Sequence, residues 1–174
     1  IWQFKNIEEL KTKYREVIDV LENSYAGEPN TPDLQQLKGM IREFEEELVW
    51  AYNGVQVNHV HHLHLGFYQD KGITKGVNIE RDVMPIVKQF REIQPDIISV
   101  TLDPEGSGPD THYKVLQATA AAVAEWSKEK DLSNVRIYGY RNVWFKCHPV
   151  DANMYVPVSL NALAVLDKSF AASY

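Results

Sequence analysis

Apolar side chains recur at helical spacing in five stretches of the chain, and each stretch predicts a helix with one buried face. A short polar residue precedes four of these stretches and can cap the first turn, because its side-chain oxygen accepts a backbone N–H. These predicted caps are Asn6, Thr31, Asn78 and Ser159. The predicted helices are Ile7 to about Glu22, Pro32 to Asn53, about Asp82 to Ile93, about Thr111 to Lys130, and a last helix after Ser159.

Three further stretches alternate in polarity or are rich in β-branched and aromatic residues, which is typical of strands. They are Val55–Tyr68, Pro95–Thr101 and Val135–Phe145. Strands that alternate with helices of ten or more residues indicate βαβ units. The sequence therefore predicts one α/β domain over residues 1–174, with a mainly parallel sheet of three or four strands and helices on its faces.

The helical periodicity also predicts which side chains face the core. Two of these faces matter below, because they lie on the fourth and the last helix. The predicted buried residues are Val115, Leu116, Thr119, Ala122, Val123 and Trp126 on the fourth helix, and Leu163, Leu166 and Phe170 on the last.

Composition and charge exclude several functional classes. Of 174 residues, 44% are hydrophobic, and the formal charge of -6 with no basic run argues against binding to nucleic acid. No apolar run is long enough for a membrane span. Cys147 is the single cysteine, which excludes an internal disulfide and is typical of a cytoplasmic protein. The start at Ile1 and the end at Tyr174, inside a helical pattern, indicate a segment of a longer protein.

The loop after the central strand carries the strongest candidate chemistry. It contains Asp103, Glu105, Asp110 and His112, and it joins the carboxyl end of a buried strand to the next helix, where open α/β folds place ligands. Imidazole and carboxylate are the ligands that zinc takes in hydrolytic sites. An alternative remains open, in which Asp110 or Thr111 only caps the helix and the glycines serve the turn.

Four histidines fall within six residues, at positions 59, 61, 62 and 64. On a strand, His62 and His64 share one face, so the cluster predicts either a metal site or a strand whose histidines are partly exposed or bonded in the core. Cys147 sits in a strand-to-turn region without an evident catalytic base and is interpreted as structural.

Several segments together resemble the PIG-L/LmbE-like family of zinc-dependent N-deacetylases, in the form fused to a glucosamine-6-phosphate deaminase (isomerase)-like domain. The resemblance covers about residues 34 to 174, and residues 1–30 form a helical lead-in without a match. It implies a Rossmann-like three-layer sandwich, incomplete in this chain. The matching segments are Ile41–Leu48 with Gly54, His61–Tyr68, Pro95–Val100, Asp103–His112 and Val156–Ser159.

The resemblance also assigns roles to four residues. His112 corresponds to a zinc histidine, and Asp110 to a catalytic-site aspartate that orients a neighbouring imidazole. Arg42 and Asp70 correspond to substrate-binding positions, although Arg42 is equally well explained as an exposed helix charge paired with Glu46.

Two departures from the family pattern bear on activity. Gly108 stands where the family's loop has its first histidine, and no Ala-His-Pro-Asp-Asp-Glu motif precedes Ile41. The Cys147–Asp151 segment imitates that motif only superficially. A single histidine cannot hold zinc against water, so this chain alone is expected to bind no zinc tightly and to be inactive.

The resemblance therefore implies a segment of an amino-sugar N-deacetylase-like, metal-dependent hydrolase that acts on carbon–nitrogen bonds. The expected partners are an amino-sugar small molecule and further copies in a homo-oligomer, without nucleic acid or membrane. The alternative is a non-catalytic domain with a degraded metal site, which binds amino-sugar phosphates or holds an oligomer together.

Overall fold

The computed structural model describes residues 3–68, 76–141 and 148–174, and in this part of the chain the fold is mixed α/β. None of the described helices is long and apolar enough to cross a membrane. A parallel sheet of two strands is combined with five α-helices. The elements are α1 Ile7–Asn23, α2 Pro32–Tyr52, α3 Met84–Ile93, β1 Ile97–Thr101, α4 Asp110–Trp126, β2 Arg136–Tyr140 and α5 Leu160–Ser173.

All four predicted caps are confirmed by their hydrogen bonds. Asn6 accepts the N–H of Glu9, Thr31 that of Leu34, Asn78 that of Arg81, and Ser159 that of Ala162. Such bonds satisfy backbone donors that the helix itself leaves unpaired, and each contributes about 1 kcal/mol. The cap at Asn78 precedes a π-helical turn, Ile79–Val83, so α3 begins at Met84, two residues later than predicted.

The parallel sheet is formed by β1 and β2, with Ile97 opposite Arg136 and Thr101 opposite Tyr140. Helix α4 makes the crossover between them, as parallel pairing requires. The predicted strand Val55–Tyr68 is wrong. That segment has a 3₁₀ turn at Val57–His59 and another at Gly66–Tyr68, and His64 between them has a left-handed φ of 48°, which interrupts extended backbone.

The described chain therefore shows an α/β fold with a parallel sheet, while the larger Rossmann-like sandwich stays a prediction. Its contacts fall into two compact units, which are described separately. The first unit combines Ile1–His62 with Pro157–Tyr174, and the second is Leu63–Val156. This grouping does not test the prediction of a single domain over residues 1–174.

The second unit has a contiguous apolar core. Phe67 and Val87 are completely buried, and burying such a side chain contributes about 1.5–3 kcal/mol. The core combines the segment before α3, α3 itself and α4. Its buried members are Leu65, Phe67, Val83, Ile86, Val87, Ala118 and Ala122.

The face that helix α4 buries is only partly the one that its periodicity predicts. Its buried residues are Lys114, Ala118, Ala122 and Trp126, a row spaced by four residues, whereas Val115 is only half-buried. Two alanines in the row let the helix approach closely, and Trp126 fills the far end beside Phe90, with 5.3 Å between ring centroids. Of the predicted face, only Ala122 and Trp126 are fully buried.

Asp82 is a completely buried carboxylate in the second unit, and both of its oxygens accept hydrogen bonds. Its oxygens accept the N–H of Gly66 at 2.7 Å, the N–H of Asn78 at 2.8 Å and two N–H groups of Arg81 at 2.8 and 3.0 Å. Burial raises the pKa of Asp82, but the bonds from Arg81, Asn78 and Gly66 outweigh it and leave the pKa below its ordinary value.

The first unit contains α1, α2 and α5 and buries much less apolar surface. Its buried apolar side chains are Val17, Leu34 and Val49. The predicted inward face of α5 is wrong, because Leu163, Leu166 and Phe170 are exposed. The side chains that α5 buries are Ser169 and Ser173, whose small size allows close packing against α2.

Candidate functional site

The candidate site lies at the carboxyl edge of β1, where Asp103 folds the following loop back on itself. The buried carboxylate of Asp103 accepts the Ser107 hydroxyl at 2.6 Å, the Ser107 N–H at 3.0 Å and the Gly108 N–H at 2.8 Å. Gly106 has a φ of 62°, which favours glycine at this turn. These bonds, led by the Ser107 hydroxyl, hold the pKa of Asp103 below its ordinary value.

Arg141 joins the same edge from β2, which ends one residue earlier. Its guanidinium donates to both carboxylate oxygens of Glu105, at 2.6 and 2.9 Å, and Nη1 lies 3.9 Å from Oδ1 of Asp103. The bond from Arg141 lowers the pKa of Glu105. Sequence analysis missed Arg141 because the predicted strand ran through it to Phe145, although the first charged residue after a parallel strand is a signal for this edge.

Close approach of the backbone makes this arrangement possible. The N–H of Leu102 donates to the carbonyl of Tyr140 at 2.8 Å and continues the ladder past β1. A Cβ at Gly139 would lie 2.9 Å from the Cβ of Leu102, so glycine leaves the space that the Leu102 side chain occupies. Gly139 is a regular member of β2.

Asp110 and His112 occupy the first turn of α4. The helix begins after Pro109 without a side-chain cap, so the alternative of Asp110 or Thr111 as the cap is wrong. The N–H of His112 donates to the Pro109 carbonyl at 2.9 Å, and the imidazole is half-buried. A carboxylate in this turn is also favoured by the helix dipole.

Lys114 is a second residue that sequence analysis missed. Its side chain is only 8% exposed, and Nζ lies 2.6 Å from Oδ2 of Asp110, whose side chain is 59% exposed. The signal in the sequence is the spacing of four between an acidic and a basic residue at a helix start. The ammonium group neutralises the Asp110 carboxylate next to His112.

The three carboxylates of this edge are thus each held by a hydrogen bond or an ion pair. A general base works best with a pKa near the working pH, and the pKa values of Asp103 and Glu105 are shifted in the opposite direction. These two groups are suited to fixing the loop and setting its charge, and the roles of Asp110 and His112 stay predictions.

The two predicted substrate-binding residues, Arg42 and Asp70, stay predictions. Arg42 belongs to the first unit, where Nη1 donates to Glu45 at 2.8 Å and the guanidinium lies 5.7 Å from the centroid of the Tyr174 ring. The ion pair is therefore made with Glu45 rather than with Glu46. Asp70 lies outside the described residues, as does Cys147.

The four-histidine segment does not have the geometry of a strand, so its predicted sharing of faces does not apply. Nε2 of His62 lies 3.4 Å from Oε1 of Glu47, and His64 is exposed. Within residues 3–68, 76–141 and 148–174, no group of three or more His, Cys, Asp or Glu side chains is arranged to hold a metal ion. In the Cys147–Asp151 segment, Nδ1 of His148 accepts the Val150 N–H at 3.3 Å, which is a local cap.

Comparisons with known proteins give one informative match. No protein-family model matches the chain, and no solved structure matches it. Over 163 residues, which are 90% of this chain, it is 34% identical to a glucosamine-6-phosphate deaminase-like protein of Bacteroides thetaiotaomicron. The chain spans only 24% of the length of that protein. It is thus similar to about a quarter of a larger protein whose name refers to an amino-sugar phosphate.

Proposed function

We propose that this chain is part of a protein of amino-sugar metabolism. The observation that carries the proposal is the 34% identity, spread over 90% of the chain, to a protein named for glucosamine-6-phosphate deaminase. An amino-sugar phosphate is the substrate class that this name indicates. The composition of the loop at the carboxyl edge of β1 supports a small polar substrate, because open α/β folds bind ligands there.

The finer proposal is an N-deacetylase-like hydrolase, with His112 and Asp110 in its active site. It rests on the family resemblance of the loop and on the position of both residues in the first turn of α4, directly after that loop. In this proposal His112 binds the metal or the reacting group, and Asp110, paired with Lys114, fixes the local charge. A Rossmann-like sandwich built around β1 and β2 belongs to the same proposal.

Zinc fits the described residues poorly, and no catalytic step is assigned to it. His112 is one nitrogen ligand, whereas a catalytic zinc site uses three protein ligands. The described ranges contain no arranged group of three candidate ligands. Hydrolysis at this edge therefore needs groups other than those described.

A second candidate is a non-catalytic domain that binds amino-sugar phosphates, and the paired carboxylates favour it. Asp103 and Glu105 are committed to the loop and to Arg141, and Gly108 uses its N–H to hold Asp103 where the family has a catalytic imidazole. In this candidate, the loop at the carboxyl edge of β1 keeps its geometry but has no general base. A second copy of the chain stays a predicted partner of this domain.

The decisive experiment assays the full-length protein that contains this chain. Acetate release is measured from N-acetylglucosamine and its 6-phosphate, and ammonia release from glucosamine 6-phosphate. For a deacetylase we expect acetate, with kcat lowered at least about 100-fold by His112→Ala and about 10- to 100-fold by Asp110→Asn. His148→Ala is the matched control, since this exposed histidine caps a turn.

Each outcome decides between the candidates. Acetate release that is unchanged by His112→Ala contradicts the role of this residue. Saturable binding of the 6-phosphates without release of acetate or ammonia supports the non-catalytic domain. Neither binding nor turnover of any of these sugars contradicts the proposal as a whole.

A further inference from the structure

A separate open cavity in the first unit is lined by aromatic, acidic and imidazole side chains. Its volume is about 330 Å³, at the lower end of the size range of small-molecule sites. We call it the histidine cavity. It is lined by Glu46, Trp50, Val55, His59, Val60, His61 and His62.

Helix α2 supplies one wall, because Glu46 and Trp50 are four residues apart and lie on the same face. Trp50 is 44% exposed, and its indole N–H donates to Oε1 of Glu46 at 2.7 Å. The other oxygen of Glu46 lies 3.5 Å from the Tyr174 hydroxyl. Burial is the main cause that raises the pKa of Tyr174, with a further contribution from the charge of Glu46.

The segment after α2 supplies the other wall with three imidazoles. Nε2 of His62 is buried and has no hydrogen-bond partner among the described residues, with the nearby Glu47 oxygen 3.4 Å away. A buried polar atom without a partner is rare in folded proteins and is often explained by a bound water or ligand. Among the described residues, no three His, Cys, Asp or Glu side chains are close enough together to hold a metal ion. The cavity is therefore not assigned to a metal ion.

We propose that the histidine cavity binds a small hydroxylated primary amine in its cationic form, the chemistry of an unacetylated amino sugar. The Glu46 carboxylate would pair with the ammonium group, and the exposed face of Trp50 would hold the apolar face of the ring and add a cation–π attraction. The imidazoles that line the cavity would bond the hydroxyl groups. The inference concerns the first unit alone and does not require turnover at His112.

Titration of the chain with glucosamine, glucose and N-acetylglucosamine tests the inference by NMR. The indole N–H of Trp50 is the reporter, because it rests on Glu46, and Trp50→Phe identifies its signal among the four tryptophans. We expect glucosamine to shift this signal saturably, with a Kd on the order of 1 mM for a ligand of this size. Glucose and N-acetylglucosamine lack the cationic amine and should bind at least about tenfold more weakly.

Two substitutions in α2 distinguish specific binding of the amine by Glu46 from general electrostatic attraction of a cation. Glu46→Gln should weaken glucosamine binding at least about tenfold, whereas Glu45→Gln, which removes an equal charge outside the cavity, should leave it unchanged. Equal weakening by both variants, equal binding of glucose, or no saturable shift with glucosamine would each overturn the inference. Amide spectra of both variants establish that they are folded. Acetate and ammonia release are not measured here, so failure of this inference leaves the proposed function standing.

Discussion

The two units of the chain differ in how much of their apolar helix faces they bury. In the second unit, Phe67, Val87 and their neighbours form one apolar core, and the buried charge of Asp82 is fully bonded. In the first unit, α5 buries two serines and leaves its leucines and phenylalanine exposed. The same helical periodicity is present in both, so the difference shows that a periodic apolar stripe identifies a surface that can be buried, not the neighbour that buries it.

Replacing one buried and one exposed phenylalanine tests this difference in burial. It is the prediction with the largest expected effect on stability. Phe67 is 0% exposed and Phe170 is 49% exposed. Phe67→Ala should lower the free energy of unfolding by about 3–5 kcal/mol, and Phe170→Ala by about 1 kcal/mol or less. Urea unfolding followed by circular dichroism measures both, and equal losses would mean that the units do not differ in burial.

The buried charge predicts a pH dependence that is specific to the second unit. Because the folded pKa of Asp82 is lowered, its contribution to stability is present above its unfolded pKa and is lost as the pH falls through the folded pKa. Asp82→Asn should cost about 2–4 kcal/mol at pH 7, since four donors lose a charged acceptor. The cost should shrink towards pH 2.

Unfolding free energies of the wild type and Asp82→Asn, measured from pH 7 to pH 2, test this prediction. Asp103 and Glu105 also have lowered pKa values, but both proteins keep them, so the difference between the two curves reports Asp82. A difference that does not change with pH would contradict the prediction.

Two glycines sharpen the comparison with smaller effects of opposite sign. A Cβ at Gly66 would lie 2.0 Å from Cδ and Nε of Arg81, whereas a Cβ at Gly39 in α2 meets nothing within 4 Å. Gly66→Ala must displace Arg81 from Asp82 and should cost about 1–3 kcal/mol. Gly39→Ala should stabilise the chain by about 1 kcal/mol, because alanine favours a helix interior. Shifts of the same sign in thermal unfolding would refute this contrast.

Local features of the fold were predictable, because their causes are local. The caps at Asn6, Thr31, Asn78 and Ser159 and the strand at Ile97–Thr101 depend on neighbouring residues. The errors arose where a distant partner decides the outcome. Two such cases are the Val55–Tyr68 segment and the face that α5 turns inward, whereas residues 142–145 of the last predicted strand lie outside the described residues.

The candidate site shows the same limit. Asp103, Glu105, Asp110 and His112 could be selected from one loop, because a strand followed by a polar loop and a helix is visible in the sequence. The basic residues that pair with these carboxylates were harder to predict. Arg141 meets Glu105 from a position 36 residues later, and the exposure of Lys114 depends on how α4 packs. The resemblance supplied Arg42, whose described contacts all lie in the first unit.

The hydrogen bonds of the loop at the carboxyl edge of β1 should form in a fixed order during folding. The bonds of Asp103 span four and five residues, so they close with little loss of chain entropy. The two hydrogen bonds from Arg141 to Glu105 span 36 residues. They can form only after α4 has folded and β2 has paired with β1. Folding should therefore produce the turn early and the charged edge late. A nascent chain that ends before β2 would have the shape of the loop without its counter-charge.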